Sequence, residues 1–173
     1  MKKWIAVSAL LILGSLLAAG CSKKETYDMQ IYYLNSDETD LKTEGYNLKS
    51  GKAEEQVQEV LKKMQKPKDS VECIPAIPTD VMITDVRLED DRLDLYFSED
   101  YDILDAASRV LLQAAVVQTM TQIDGVDCVQ FHVADDVLKD HDGNEVGYLY
   151  KEDFVQDTGK ALKSKNQRTK EKD

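Results

Sequence analysis

The stretch "RLDLYFSEDYDILDAASRVLLQAAVVQTMTQIDGVDCVQFHV", residues 92–133, changes its apolar period twice, and those changes set the order of elements. Leu93, Leu95 and Phe97 alternate with Arg92, Asp94 and Tyr96, which is the period of a strand buried on one face. From Asp102 to Gln122 there is neither proline nor glycine. Ile103, Ala107, Val110, Leu111, Ala114, Val117 and Thr121 follow one another at helical spacing, which predicts the longest helix of the chain. Asp124-Gly125 closes it, and "VDCVQFHV" returns to alternation, with Val129, Phe131 and Val133 on one side and Cys128, Gln130 and His132 on the other.

Upstream, "VMITDVRL" reads as a strand that reaches Arg92 through the polar turn Glu89-Asp90-Asp91, so the two strands should pair as a hairpin. Two prolines, Pro75 and Pro78, keep "VECIPAIPTD" out of helix and out of a sheet interior, leaving an ordered, partly extended connection. Before it, Ala53, Val57, Val60, Leu61 and Met64 share one face of a helix that ends near Lys66-Pro67. In "YDMQIYYL", Met29, Ile31 and Tyr33 alternate with Asp28, Gln30 and Tyr32, giving the first strand, and a polar loop with Asn35, Ser36, Asp37 and Gly45 follows it. Residues Val146 to Tyr150 supply a last strand.

The predicted order is strand, helix, strand, strand, helix, strand. That is an α+β fold, a single βαββαβ-type sandwich with a mostly antiparallel sheet and two helices on one face. The opposite face should present Gln30, Tyr32, Arg92, Asp94, Tyr96, Gln130 and His132. Of these, Tyr32, Arg92, Tyr96, Gln130 and His132 are the candidate partner-binding residues, since Tyr and Arg combine contact area with a polar handle. The competing reading is an ordinary solvated face.

The N-terminus carries a different message. Lys2 and Lys3 precede fifteen uncharged residues from Ile5 to Ala19, a basic n-region and a short h-region. A spanning helix needs about 20 apolar residues, and Ser22, Lys23, Lys24 and Glu25 arrive before that length is reached. Leu17-Ala18-Ala19-Gly20-Cys21 resembles the bacterial lipobox, which implies cleavage after residue 20 and a diacylglyceryl group on Cys21. The resulting divisions are a signal peptide at 1–20, a polar tether at 21–26, a domain at 27–156 and a basic tail at 157–173. The expected location is the extracytoplasmic face of the cell membrane, with simple secretion as the alternative.

Twenty-two basic against 33 acidic side chains give the chain a formal charge of −11. Such a body should repel DNA, anionic lipid and wall polymers unless a local patch says otherwise, and nucleic acid is excluded as a partner. The last stretch, "GKALKSKNQRTKEKD", reverses the sign with six basic residues against Glu171 and Asp173. It is expected to be a solvated, disordered end, or else a basic strip that touches wall teichoic acid, lipid headgroups or the acidic body.

Cys73 and Cys128 are candidates for one disulfide in an oxidising compartment, or else two buried small hydrophobes. His132 and His141 are the only histidines, and neither sits at ligand spacing with a cysteine, so no zinc site or cofactor is proposed. His132 and Cys128 on one strand lie about 13 Å apart, too far for a dyad. "DHDGNE", residues 140–145, has calcium-loop oxygens, but Lys151 stands where an EF-hand needs a bidentate acid.

Taken together, "IYYLN" at 31–35, "KPKD" at 66–69, "AIP" at 76–78, "LDLYFSEDY" at 93–101, "LLQAAVVQTMTQIDGVDCVQFHV" at 111–133 and Gly147 resemble a GerMN domain of sporulation and spore germination lipoproteins in Gram-positive bacteria. The resemblance implies a membrane-tethered interaction module similar in architecture to ring-building modules. It implies another envelope protein or peptidoglycan as partner, no cofactor and no catalytic residues. An envelope hydrolase using carboxylates and a solute-binding sensor are the competing function classes; the sensor would need a cleft that one small domain rarely supplies.

Overall fold

The computed structural model describes residues 26–66 and 71–154. The signal peptide, Cys21, most of the tether and the basic tail lie outside the described residues. Among the described residues, eight strands and two α-helices follow in the order β1 (Met29–Asn35), β2 (Leu41–Tyr46), α1 (Ala53–Met64), β3 (Cys73–Ile74), β4 (Ile83–Glu89), β5 (Arg92–Phe97), α2 (Ala106–Met120), β6 (Cys128–Val133), β7 (Asp136–Val137) and β8 (Tyr148–Tyr150). The fold is α+β.

The strands divide between two sheets. One has the order β2-β1-β3, and the other runs β4-β5-β6-β7 with β8 also paired to β6. All pairings are antiparallel except β5 with β6, which run parallel from Arg92↔Cys128 to Phe97↔Val133. That parallel pair follows from the strand–helix–strand order of residues 92–133, because the helical crossover returns the chain to the end where it began. The stretch 41–46, expected as loop, is a strand opposite β1, from Met29↔Tyr46 to Leu34↔Leu41.

The predicted inner residues fill the core. Met29, Ile31 and Tyr33 of β1, Val57, Val60, Leu61 and Met64 of α1, and Leu93, Leu95, Phe97, Val129 and Phe131 of the second sheet are all buried. Each such side chain stabilises the folded state by about 1.5–3 kcal/mol relative to exposure. Phe97 stacks on Phe131 at 5.9 Å and leans on Tyr101 at 5.4 Å. Gln113 donates to the Tyr101 hydroxyl at 2.9 Å, and burial pushes that hydroxyl's pKa up to about 12.

The long helix is shorter than its apolar stripe. A 3-10 turn occupies Glu99–Ile103, and α2 starts only after Asp105, whose extended backbone and carboxylate cap it by accepting from the Ser108 amide at 2.9 Å. Ile103, counted on the stripe, is therefore outside the helix and 82% exposed. From Leu111 on, Leu111, Leu112 and every residue from Ala114 to Met120 are buried, so the second half of α2 is sheathed nearly all round.

Polar residues at the C-terminal end of α2 and just beyond it bind backbone. Thr119 Oγ1 accepts from the Tyr32 amide at 3.0 Å, and Gln122 accepts from the Gln30 amide at 2.9 Å while donating to the Gln30 carbonyl at 2.8 Å. Gln118 donates to the carbonyls of Lys151 and Phe154 at 3.1 and 3.0 Å. The edge of β1 facing away from β2 is thus closed at Gln30 and Tyr32 by helix side chains instead of a strand, and the helix end joins the two sheets.

Candidate functional site

The hairpin, the parallel pair and β8 together build a polar face on the second sheet, turned away from its buried leucines and phenylalanines. Strand pairing sets this face out in rows, because directly opposed residues project to the same side. One row is Asp85, Tyr96 and His132; the next is Arg87, Asp94, Gln130 and Tyr148; the third is Glu89, Arg92, Cys128 and Tyr150. The register shift between Ile83 and Asp85 brings Asp85 and Arg87 into these rows.

The side chains on this face hold one another. The Arg87 guanidinium lies 4.6 Å from the Tyr96 ring centre, and Tyr96 stacks on His132 at 4.2 Å with 14° between the planes. Arg87 also donates to the Tyr96 hydroxyl at 3.2 Å and pairs with Asp85 at 2.7 Å. That guanidinium, followed by the Val86 amide, lowers the Asp85 carboxyl below the usual carboxylate range. His132 Nε2 is 2.8 Å from Asp94 Oδ1, so the tautomer with its proton on Nε2 satisfies the carboxylate. Burial first, and then the Asp94 carboxylate, raise the pKa of the Tyr148 hydroxyl. Arg92 lies 5.6 Å from the Tyr148 ring centre.

Five predicted face residues, Arg92, Asp94, Tyr96, Gln130 and His132, are therefore brought together as the alternation implied. Tyr32 and Gln30 are not. They belong to the other sheet, where their amides are taken by Thr119 and Gln122, because β5 pairs with β4 and β6 and not with β1. His132, expected on the wet face, is 7% exposed under Tyr96, and Cys128, expected as either a disulfide partner or a buried small hydrophobe, is 1% exposed opposite Tyr150. The His132 Nδ1 is buried without a hydrogen-bond partner in the structure.

The proposed bridge between Cys73 and Cys128 is not formed. Both thiols are free; one belongs to β3 in the first sheet and the other to β6 in the second. The 140–145 turn uses its oxygens internally, since Asp140 Oδ1 accepts from the amides of Asp142 and Asn144, both at 2.9 Å. Asp85, Arg87, Glu89, Tyr148 and Tyr150 are the face residues that sequence reasoning missed. Fixing the hairpin register would have found Arg87 opposite Asp94, whereas Tyr148 and Tyr150 sit in a three-residue strand with little periodic signal.

Two solved structures share this fold. The tandem GerMN domains of the sporulation protein GerM from Bacillus subtilis align with 73% of the chain at 14% identity and a TM-score of 0.56. The first GerMN domain of the same protein aligns with 80% of the chain and 97% of its own length, again at 14% identity, with a TM-score of 0.54. The chain spans 47% of the tandem structure. No curated protein matches the chain in sequence. The Germane family, described as sporulation and spore germination, matches residues 30–139, well over half of the chain, and the chain belongs to that family.

Proposed function

We propose that this chain is a lipoprotein anchored through Cys21 to the outer side of the cell membrane, and that its GerMN-type domain is a non-catalytic module binding another envelope protein in sporulation or germination. The observation that carries the binding reading is the Arg87–Tyr96–His132 stack with its neighbouring Arg92–Tyr148 pair. Arg and Tyr are the residue types that dominate interface energetics, and here their rotamers are held before any partner arrives, which lowers the entropic cost of docking. The same geometry argues against general-base chemistry. His132 is committed to Asp94 and covered by Tyr96, so it has no open approach for a substrate.

A photo-crosslinking residue at Tyr148, in the cells that produce the protein, tests this. An adduct with an envelope protein is expected, absent when Arg87→Glu and Arg92→Glu are combined and absent from a crosslinker at Glu54 on α1. Adducts from Glu54 alone would move the site to the helical side, and retention on peptidoglycan without a protein adduct would make the wall the ligand. Labelling with a clickable fatty acid should mark the wild type and not Cys21→Ala.

A further inference from the structure

The strand β4 is an open edge of the second sheet. It pairs with β5 alone, so among the described residues one side of its backbone faces no strand. The two-residue turn makes Glu89↔Arg92 a hydrogen-bonded pair, and the alternation of an antiparallel ladder then turns the backbone groups of Arg87 toward β5 and those of Val86 and Leu88 away from it. The Val86 amide confirms this parity by donating to the Asp85 carboxylate at 2.9 Å. Val86 and Leu88 are only half-buried, although their side chains share the core face with Leu95 and Leu93. Beside them a groove of about 320 Å³ lies between β4 and α1, with Ile83 and Val86 on one side and Leu61 and Lys62 on the other.

Reversed, this strand is complementary to itself. A two-fold axis at Val86, the middle residue of Ile83–Glu89, sets Asp85 opposite Arg87 of a second copy and Arg87 opposite its Asp85, while Val86 meets Val86 with amide and carbonyl turned toward each other. The neighbouring registers fail. An axis at Arg87 sets that guanidinium against its own copy and Asp85 against Glu89, and an axis at Leu88 carries the ladder into Asp90 and Asp91, whose positive φ values of 49° and 61° do not continue a strand. In the Val86 register, Leu88 falls opposite Thr84 of the second copy, beside the groove that Ile83 and Leu61 line, so each copy brings a leucine to the other's groove. β2, the longer edge of the first sheet, has no such register: reversed about its centre it sets Lys42 against Gly45 and Thr43 against Glu44.

We infer that this chain pairs with a second copy of itself, β4 against β4 in antiparallel about a two-fold axis at Val86. The contact is isologous, so it closes at a dimer. As it forms, Asp85 exchanges its own Val86 amide and its own Arg87 for Arg87 of the second copy, and the released amide passes to the Val86 carbonyl opposite. That exchange replaces like with like; the gain is the backbone ladder and the apolar cover over Val86 and Leu88. An edge that invites pairing with any extended chain is thereby closed by a specific one. The inference does not rest on the reading of the polar face as a binding site, because it is carried by the edge of the strand and not by the Tyr96–His132 stack.

The test uses cells that produce the full chain, with Val86→Cys in a Cys73→Ser background, oxidised with copper phenanthroline. A hydrogen-bonded pair centred on residue 86 brings the two Cα atoms to about 5.5 Å, within reach of a disulfide. A disulfide-linked dimer of the chain is expected from Val86→Cys and not from Thr43→Cys on β2. Adding Asp85→Arg or Arg87→Asp alone sets like charges opposite each other and should cut the dimer about fivefold. Adding both sets opposite charges face to face again and should restore it. Both side chains are about half exposed, 48% and 58%, so neither change disturbs the core. No dimer at position 86, equal dimer in all charge variants, or a double variant as weak as the single ones would overturn the proposal. So would Val86→Cys adducts with a different protein alone, which would give the edge to that chain. The Tyr148 photo-adduct is read separately, so failure of either result leaves the other standing.

Discussion

Cys128 and His132 show how little a side chain's identity says about its exposure on a polar face. Alternation assigns both to the side away from the core, and they do project there. Tyr96 roofs His132, however, and Tyr150 stands opposite Cys128 on β8, so both are buried among neighbours from adjacent strands. Desolvation raises the Cys128 thiol above its ordinary range. Alkylation of the folded protein should therefore modify half-buried Cys73 first and leave Cys128 slow even at pH 8. Both thiols should react at once in denaturant without reductant. A mass count of two unmodified cysteines in denaturant would instead show a bridge.

At the scale of elements, the β4–β5 turn carries a visible strain. Asp90 and Asp91 both have positive φ, 49° and 61°, as a two-residue type I′ hairpin requires. An L side chain pays about 1 kcal/mol for that region, and Asn-Gly pays least. Replacing Asp90-Asp91 by Asn-Gly should raise the urea midpoint by a stability gain of about 1 kcal/mol with an unchanged slope; a lower midpoint would mean that the aspartates make contacts worth more than their strain. This hairpin was legible in the sequence because two alternating runs flank three acidic residues. The helix α1 and the inner residues of β1 were legible for the same reason, a clean period. The break before α2 was not, because its signal is a single side chain: Asp105 caps Ser108 inside a run that has no proline or glycine. Nor was β2, whose "LKTEGY" alternates weakly and whose burial depends on what β1 offers it. The binding face was legible within β5 and β6 and failed at Tyr32, since alternation gives the side of a strand but not the sheet to which that strand belongs.

In the whole molecule, Gln122 is the joint between the two sheets. Its amide satisfies both backbone groups of Gln30, which sits in the first sheet, while the chain leading from it begins β6 in the second. Gln122→Ala leaves a part-buried donor and acceptor unpaired, and should cost about 1–3 kcal/mol. Amide exchange at Gln30 should accelerate selectively in that variant. Unchanged stability together with unchanged exchange at Gln30 would show that water replaces the side chain at no cost.

Because Thr119 and Gln122 read main-chain atoms, the two sides of the joint are unequally constrained. Any residue with an amide hydrogen can occupy positions 30 and 32 and still be recognised, whereas the helix must keep a hydroxyl at 119 and a carboxamide at 122. Over many generations the strand would be free to drift in chemistry while the helix stays fixed, so descendants of this chain could acquire new outward side chains on β1 without reopening the seam that holds the fold shut.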